Sequence, residues 1–198
     1  MKVLVACEFS GIVREAFRKQ GHKAVSCDLL PSEIPGPHIQ DDVLKHLNDG
    51  WDLIIAHPPC TDLACSGAAW FEKKRQDGSQ HKSIEFFMSL TKANIPRIAI
   101  ENPVGIMSTF WRKPDQVIQP YEYGHSVKKT TCLWLNNLPK LKPTNIVKPE
   151  LVTLKNGKTF SRWDYQLSMN HKTRAHLRSK TFQGIADAMA TQWGSVGS

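Results

Sequence analysis

The chain has 198 residues, with 26 Lys and Arg against 18 Asp and Glu and a formal charge of +8. That length suits one domain of ordinary size, and a hydrophobic content of 40% supplies a core. No run approaches the ~18 consecutive apolar residues of a spanning helix, Met1 to Ala6 is too short for a secretory leader, and five cysteines without a Cys-x-x-Cys pair make neither a disulfide framework nor a zinc ribbon. A membrane-spanning protein is excluded, and a cytoplasmic location with reduced thiols is expected.

Lys2 to Ala6 is a short apolar run of strand type. Ser10 can cap a helix in which Ile12, Val13, Ala16 and Phe17 recur at helical spacing, with Gly21 as its stop. Ala24 to Cys27 is a second strand ending at Asp28, and a Pro/Gly-rich loop runs from Pro31 to Pro37. Asp42 to Leu47 reads as a short helix. Asp52 to Ala56 is a third strand, closed sharply by His57-Pro58-Pro59-Cys60. Ser83 to Ala93 is an amphipathic helix with Ile84, Phe87, Met88 and Thr91 on one side. Arg97 to Ile100 is a strand ending in Glu101-Asn102-Pro103, and Thr130 to Leu135 is another. Residues 136–180 read as irregular, with a hairpin signal at Asn156-Gly157. Thr181 to Trp193 closes as a helix with Ile185, Ala188, Met189 and Gln192 on one face.

Strand alternating with helix predicts an α/β, Rossmann-like fold, a mostly parallel sheet with helices on both faces. Ligands in such folds sit beyond the carboxyl ends of the strands. The chemically suggestive residues lie at those ends: Glu8-Phe9-Ser10-Gly11, Asp28, Cys60 and Glu101. A small residue and a glycine between strand and helix let a ligand approach the backbone. Asp28 is placed to accept from ribose hydroxyls, and Asp42 from an adenine amino group; as lone acids, both also suit caps and turns. Cys60 follows a buried strand and two stiffening prolines. As a thiolate it is a nucleophile; otherwise it is a small apolar residue, the commonest fate of cysteine. Glu101 at the next strand tip is a general acid or a base-reading group. His57 reads as a turn residue, and His125, His171 and His176 have no metal-ligand spacing.

The charge is uneven. Residues 136–180 hold Lys140, Lys142, Lys148, Lys155, Lys158, Arg162, Lys172, Arg174, Arg178 and Lys180 against only Glu150 and Asp164, and the remainder is balanced. One basic segment on a neutral body is the pattern of a nucleic-acid binder, and the interleaved Phe160, Trp163, Tyr165, His171 and His176 can stack on bases. The alternative is a lysine-rich solvated loop.

In this order, these residues resemble the cytosine-C5 DNA methyltransferase family, and more specifically its short phage and prophage members. Phe9-Ser10-Gly11 resembles the family's cofactor loop, Asp28 with Leu29 its ribose acid, and Asp42-Val43 its acid-apolar pair near the adenine. Pro59-Cys60 resembles the Pro-Cys of the nucleophile loop, and Glu101-Asn102 the Glu-Asn motif, with Pro103 in place of Val. Lys128 and Lys129 stand loosely for the basic motif near the flipped base, and Phe182-Gln183-Gly184 for the last cofactor motif. The sequence departs from the family in lacking further glycines after Gly11, the Gln-x-Arg-x-Arg motif and a large recognition domain.

The resemblance implies S-adenosylmethionine as cofactor, DNA as partner and no metal. Cys60, Glu101 and Asn102 would be catalytic, and Phe9, Ser10, Gly11, Asp28, Leu29, Asp42, Val43 and Pro58 would bind the cofactor. Lys128, Lys129, Arg162, Trp163, Arg174 and Arg178 would contact nucleic acid. It implies one domain: a catalytic core over 1–135, a basic segment over 136–180 and a returning helix over 181–198. Three other readings stay open: a C5 modification with another group or on a free nucleotide, an amino-methyltransferase, and a non-catalytic nucleic-acid-binding protein on the same scaffold.

Overall fold

The computed structural model describes residues 1–168 and 171–196, and the side chains of His171 and Lys172 also lie outside the described part. The strands are β1 (Lys2–Ala6), β2 (Lys23–Asp28), β3 (His38–Gln40), β4 (Leu53–Ala56), β5 (Arg97–Pro103), β6 (Gln116–Ile118) and β7 (Thr131–Asn136), with β8 (Leu151–Thr153) and β9 (Thr159–Ser161) as a separate hairpin. The helices are α1 (Ile12–Lys19), α2 (Phe71–Gln76), α3 (Ser79–Thr91), α4 (Met107–Phe110), α5 (Arg162–Ser168), α6 (His171–Ser179) and α7 (Gln183–Gly194).

Seven strands form one sheet in the order β3-β2-β1-β4-β5-β7-β6. β1 pairs in parallel with β2 and β4, and β4 with β5. Only β7 runs against its neighbours β5 and β6. The chain builds outward from β1 to β3, then crosses back to lay β4 on the other side of β1. That reversal opens a crevice beyond the ends of β1 and β4, where ligands sit in open α/β sheets.

Successive residues of a strand point to opposite faces, so the buried strands feed two cores. Val3, Val5, Leu53, Ile55, Ala99 and Leu133 meet Phe17 of α1 and Met189 and Trp193 of α7 on one face. Leu4, Ala6, Ile54, Ala56, Ile98 and Trp134 meet Ile84, Phe87 and Leu90 of α3 on the other. The expected mostly parallel sheet with helices on both faces is the observed one.

Several local expectations are corrected. Ser10 is not the main cap of α1: its hydroxyl is 3.4 Å from the Ile12 amide, whereas the Glu8 carboxylate accepts from Val13 N–H at 2.6 Å and from Arg14 N–H at 3.2 Å. α3 starts at Ser79 rather than Ser83, where Asp77 accepts from the Ser79 amide at 2.9 Å. Residues 162–179, read as irregular, contain α5 and α6. The β8–β9 hairpin forms where the Asn156-Gly157 signal placed it. β3, β6, α2 and α4 were not anticipated, being only three to six residues long.

Arg14 explains the placement of the Pro/Gly-rich loop. It is fully buried, pairs with Glu15 at 2.8 Å, and donates to the Ser26 and Ser32 hydroxyls and to the Ile34 and Pro35 carbonyls. A buried guanidinium needs its donors satisfied, and this loop supplies the acceptors.

Candidate functional site

β1 ends in a turn that Cys7 enters with φ 58° and Gly11 leaves with φ 73°. A Cβ on Gly11 would lie 2.6 Å from both the Arg14 guanidinium and Ile34, so this position needs glycine on two grounds. Beside it, β4 ends in His57, whose amide donates to the Ala6 carbonyl at 2.9 Å. Pro58 is buried, and Pro59 and Cys60 emerge at the surface.

The Cys60 loop is held from two sides. Cys65 N–H donates to the Val104 carbonyl, and Ile106 N–H to the Leu63 carbonyl, each at 2.9 Å. Asn102, 2% exposed, donates from Nδ2 to the Pro58 carbonyl at 2.9 Å. Lys74 reaches the Thr61 carbonyl and Asp62, and Ser83 on α3 donates to Asp62 at 2.9 Å. The segment after β5 therefore braces the segment after β4.

Three titratable groups near these strand tips feel one another's charge. Cys60 is open to solvent, yet the protein behind it raises its thiol above the ordinary value, and the Glu101 charge raises it further; Lys129 and Arg178 pull the other way. Burial works to raise the Glu101 carboxyl, but the hydrogen bond and charge of His57, with Lys129 beyond, hold it below the usual range. Burial lowers the Lys129 ammonium, against the pull of Glu101, and Arg178 reinforces the fall. Lys129 Nζ donates to the Arg178 carbonyl at 2.7 Å.

His57 was read as a turn residue; the structure gives it a partner. Its Nδ1 lies 3.1 Å from Glu101 Oε2, its side chain is 7% exposed, and its Nε2 is buried without a hydrogen-bond partner. His57 forms part of the wall of a small recess together with Cys7, Glu8, Phe9, Ser10, Ser179 and Thr181. The Glu8 carboxyl there is raised by burial, with His57 and the capped amides opposing.

Of the expected cofactor residues, Phe9 and Ser10 line this recess and Gly11 follows directly. Asp28 accepts from the Leu30 amide at 2.9 Å, and Asp42 caps a 3-10 turn by accepting from Leu44 N–H at 3.0 Å. Burial raises the Cys7 thiol, and the charges of Asp28 and Asp42 add to the rise. Leu29 is exposed, whereas Val43 and Pro58 are buried.

The basic segment is folded onto this edge. His176 Nε2 and Lys180 Nζ lie 2.6 and 2.7 Å from the two oxygens of Glu33, and the His176 ring packs 5.0 Å from Phe9. Arg178 pairs with Asp164, Arg162 with Glu150 at 3.5 Å, and Trp163 packs on Phe182 at 5.4 Å. Lys128 and Arg162 are exposed and Arg174 is half-buried. Among the described residues no group of three or more His, Cys, Asp or Glu could hold a metal ion, and no helix is long and apolar enough to cross a membrane.

No known family model matches the sequence, and no curated protein does. Among solved structures, the chain is similar to a candidate DNA modification methyltransferase encoded within a prophage, from E. coli. The TM-score is 0.51 at 16% identity, and the match covers 75% of this chain and 52% of that one. The chain thus spans about half the length of that protein. Identity this low establishes the fold alone, and the chain shares the mixed α/β architecture of a methyltransferase.

Proposed function

We propose that this protein is a DNA methyltransferase that uses S-adenosylmethionine and acts at C5 of cytosine through Cys60. The observation that carries the reading is the convergence of Cys60, Glu101 and Lys129 at adjacent strand tips, beside the β1 turn. A nucleophile and an acid that feel each other's charge, at the reversal point of an open α/β sheet, are the parts such chemistry requires.

The residues present fit the cofactor. The recess offers the polar groups of Glu8 and Ser10 and an unpaired buried imidazole nitrogen, while Asp28 ends β2, the neighbour of β1, and Asp42 follows β3. Phe9, Ser10, Gly11, Asp28, Leu29, Asp42, Val43 and Pro58 would hold it. Bound there, S-adenosylmethionine would supply the electrophilic methyl group that C5 accepts.

The chain's own residues do the rest. Cytosine C6 is unreachable inside a duplex, so the base must leave the stack. The Cys60 thiolate adds to C6, and the electron pair of the C5–C6 bond moves to C5. Glu101, taking up a proton as the base binds, donates it to N3 and so draws that charge off the ring. The C5 proton then passes to water, its electron pair re-forms the C5–C6 double bond, and the C6–S bond breaks to release the Cys60 thiolate. Asn102 keeps Pro58, and with it the loop, in register. Lys128, Arg162 and Arg174 would meet phosphates, so affinity should fall steeply with salt.

Expression in a methylation-free host, followed by mass spectrometry of the DNA nucleosides, tests this. 5-Methylcytosine is expected, and its loss in Cys60→Ala. N4-methylcytosine or N6-methyladenine would replace the reading with amino-methylation, and a larger C5 substituent would change the transferred group.

A further inference from the structure

The β8–β9 hairpin stands off the body of the protein. Between Leu151 and Phe160 only Val152 and Leu154 are half-buried, and every other residue is exposed. A lone two-stranded hairpin is marginal in water, yet this one is fixed at its tip and at its root. At the tip, Leu154 N–H donates to the Lys158 carbonyl and Gly157 N–H to the Leu154 carbonyl, each at 2.9 Å. Gly157 takes φ 80°, and the Asn156 side chain accepts from Lys158 N–H at 3.1 Å. At the root, Glu150 N–H donates to the Ser126 carbonyl at 2.9 Å, and Lys128 N–H donates to the buried Ser161 hydroxyl at 3.3 Å. α5 packs against both strands. The root is thereby pinned to the segment just before Lys129, whose charge acts on Cys60 and Glu101.

Residues 151–161 carry Lys155 and Lys158 and no acid. The register sets Thr153 opposite Thr159, with their exposed hydroxyls 3.1 Å apart. A strand rises ~3.3 Å per residue, so about five residues from root to tip reach roughly 16 Å. The major groove of duplex DNA is roughly 8.5 Å deep and 12 Å wide and admits a two-stranded ribbon. Lysines at the tip match the phosphates of the groove walls, and threonine hydroxyls and methyls match base edges. A single strand has no such groove, and that of duplex RNA is too narrow for side chains to read.

We propose that the β8–β9 hairpin enters the major groove of duplex DNA tip first, with Lys155 and Lys158 on phosphates and Thr153 and Thr159 toward base edges. This rests on the reading of the protein as acting on DNA. It adds the form of the substrate, a duplex, and the element that reads it beside the candidate nucleophile.

Fluorescence anisotropy with a fluorescein-labelled, random-sequence DNA duplex reads binding without turnover. Lys155→Gln combined with Lys158→Gln should weaken binding about tenfold or more, and the slope of log affinity on log salt should be shallower by about 2, at roughly 0.9 per lost phosphate contact. Single-stranded DNA should compete less well than the duplex. In the unaltered protein, 5-iodouracil in place of thymine sets a photoreactive iodine in the major groove, where the thymine methyl sits. Irradiation and peptide mass spectrometry should place crosslinks within residues 151–161, and this arm does not depend on a variant folding. Crosslinks confined to other residues overturn the proposal, as does an unchanged salt slope in the double variant; 5-methylcytosine formation then still stands as a separate result. Competition by single strands as strong as by the duplex overturns it too. Failure of the unaltered protein to bind any DNA removes both this proposal and the methyltransferase reading.

Discussion

The Lys129 ammonium donates to the Arg178 carbonyl at 2.7 Å, which fixes the segment before β7 to the end of α6 and sets a positive charge near Cys60 and Glu101. A residue expected from sequence as a nucleic-acid contact is thereby an electrostatic partner of the candidate nucleophile. Lys129→Gln should raise the Cys60 thiol further. Iodoacetamide labelling of Cys60 at pH 8, followed by peptide mass spectrometry, should slow roughly three- to tenfold. An unchanged rate would show that Lys129 does not govern the thiol.

Glu101→Gln separates two roles of one carboxylate. Its charge raises the Cys60 thiol, so removing it should speed the same labelling. The glutamine amide can still donate to N3 but cannot hand over a proton, so methyl incorporation should fall by about 10²-fold or more. Faster labelling with slower transfer is the signature. If both fall together, the substitution has displaced the loop.

Gly105 tests the brace. A Cβ there would lie 2.2 Å from the Leu63 carbonyl oxygen, a backbone atom that cannot swing aside. Gly105→Ala should push the Leu63–Cys65 segment away from Val104–Ile106, at a cost of about 1–3 kcal/mol. Thermal denaturation should show a loss of about 2–4 °C for each kcal/mol in a chain of this size. No change in melting would mean the two segments separate freely.

Glu33 ties α6 over the β1 turn. Lys180 first, and then His176, hold its carboxyl below the usual 4.5. A carboxyl depressed in the folded chain adds stability that is complete above the unfolded value and is lost as pH falls through the folded one. Hydrogen exchange at 173–181 should therefore be constant from pH 7 to about 5, after correction for intrinsic rates, and rise below 4.5. Glu33→Gln should show about two- to fivefold faster exchange already at pH 7. Equal protection at pH 7 would show that packing alone holds the helix.

Apolar runs alone marked the five inner strands of the sheet and their tips, but not the edge strands β3 and β6. Val3 to Ala6 and Leu53 to Ala56 are buried on both faces, and such strands announce themselves as apolar runs because every residue reports the same environment. Glu8, Cys60 and Glu101 were legible because they follow those runs directly. The tertiary structure alone decided what each side chain meets. His57 and Glu101 are 44 residues apart, and no local period signals that β4 and β5 lie side by side. The burial of Arg14 was equally silent, since its acceptors come from a loop about twenty residues on. α5 and α6 escaped because their polar sequences carry little apolar periodicity, and their placement rests on ion pairs such as His176 and Lys180 with Glu33. Local pattern encodes which face of an element is buried; the partner across the gap is set only when the sheet brings distant strand ends together.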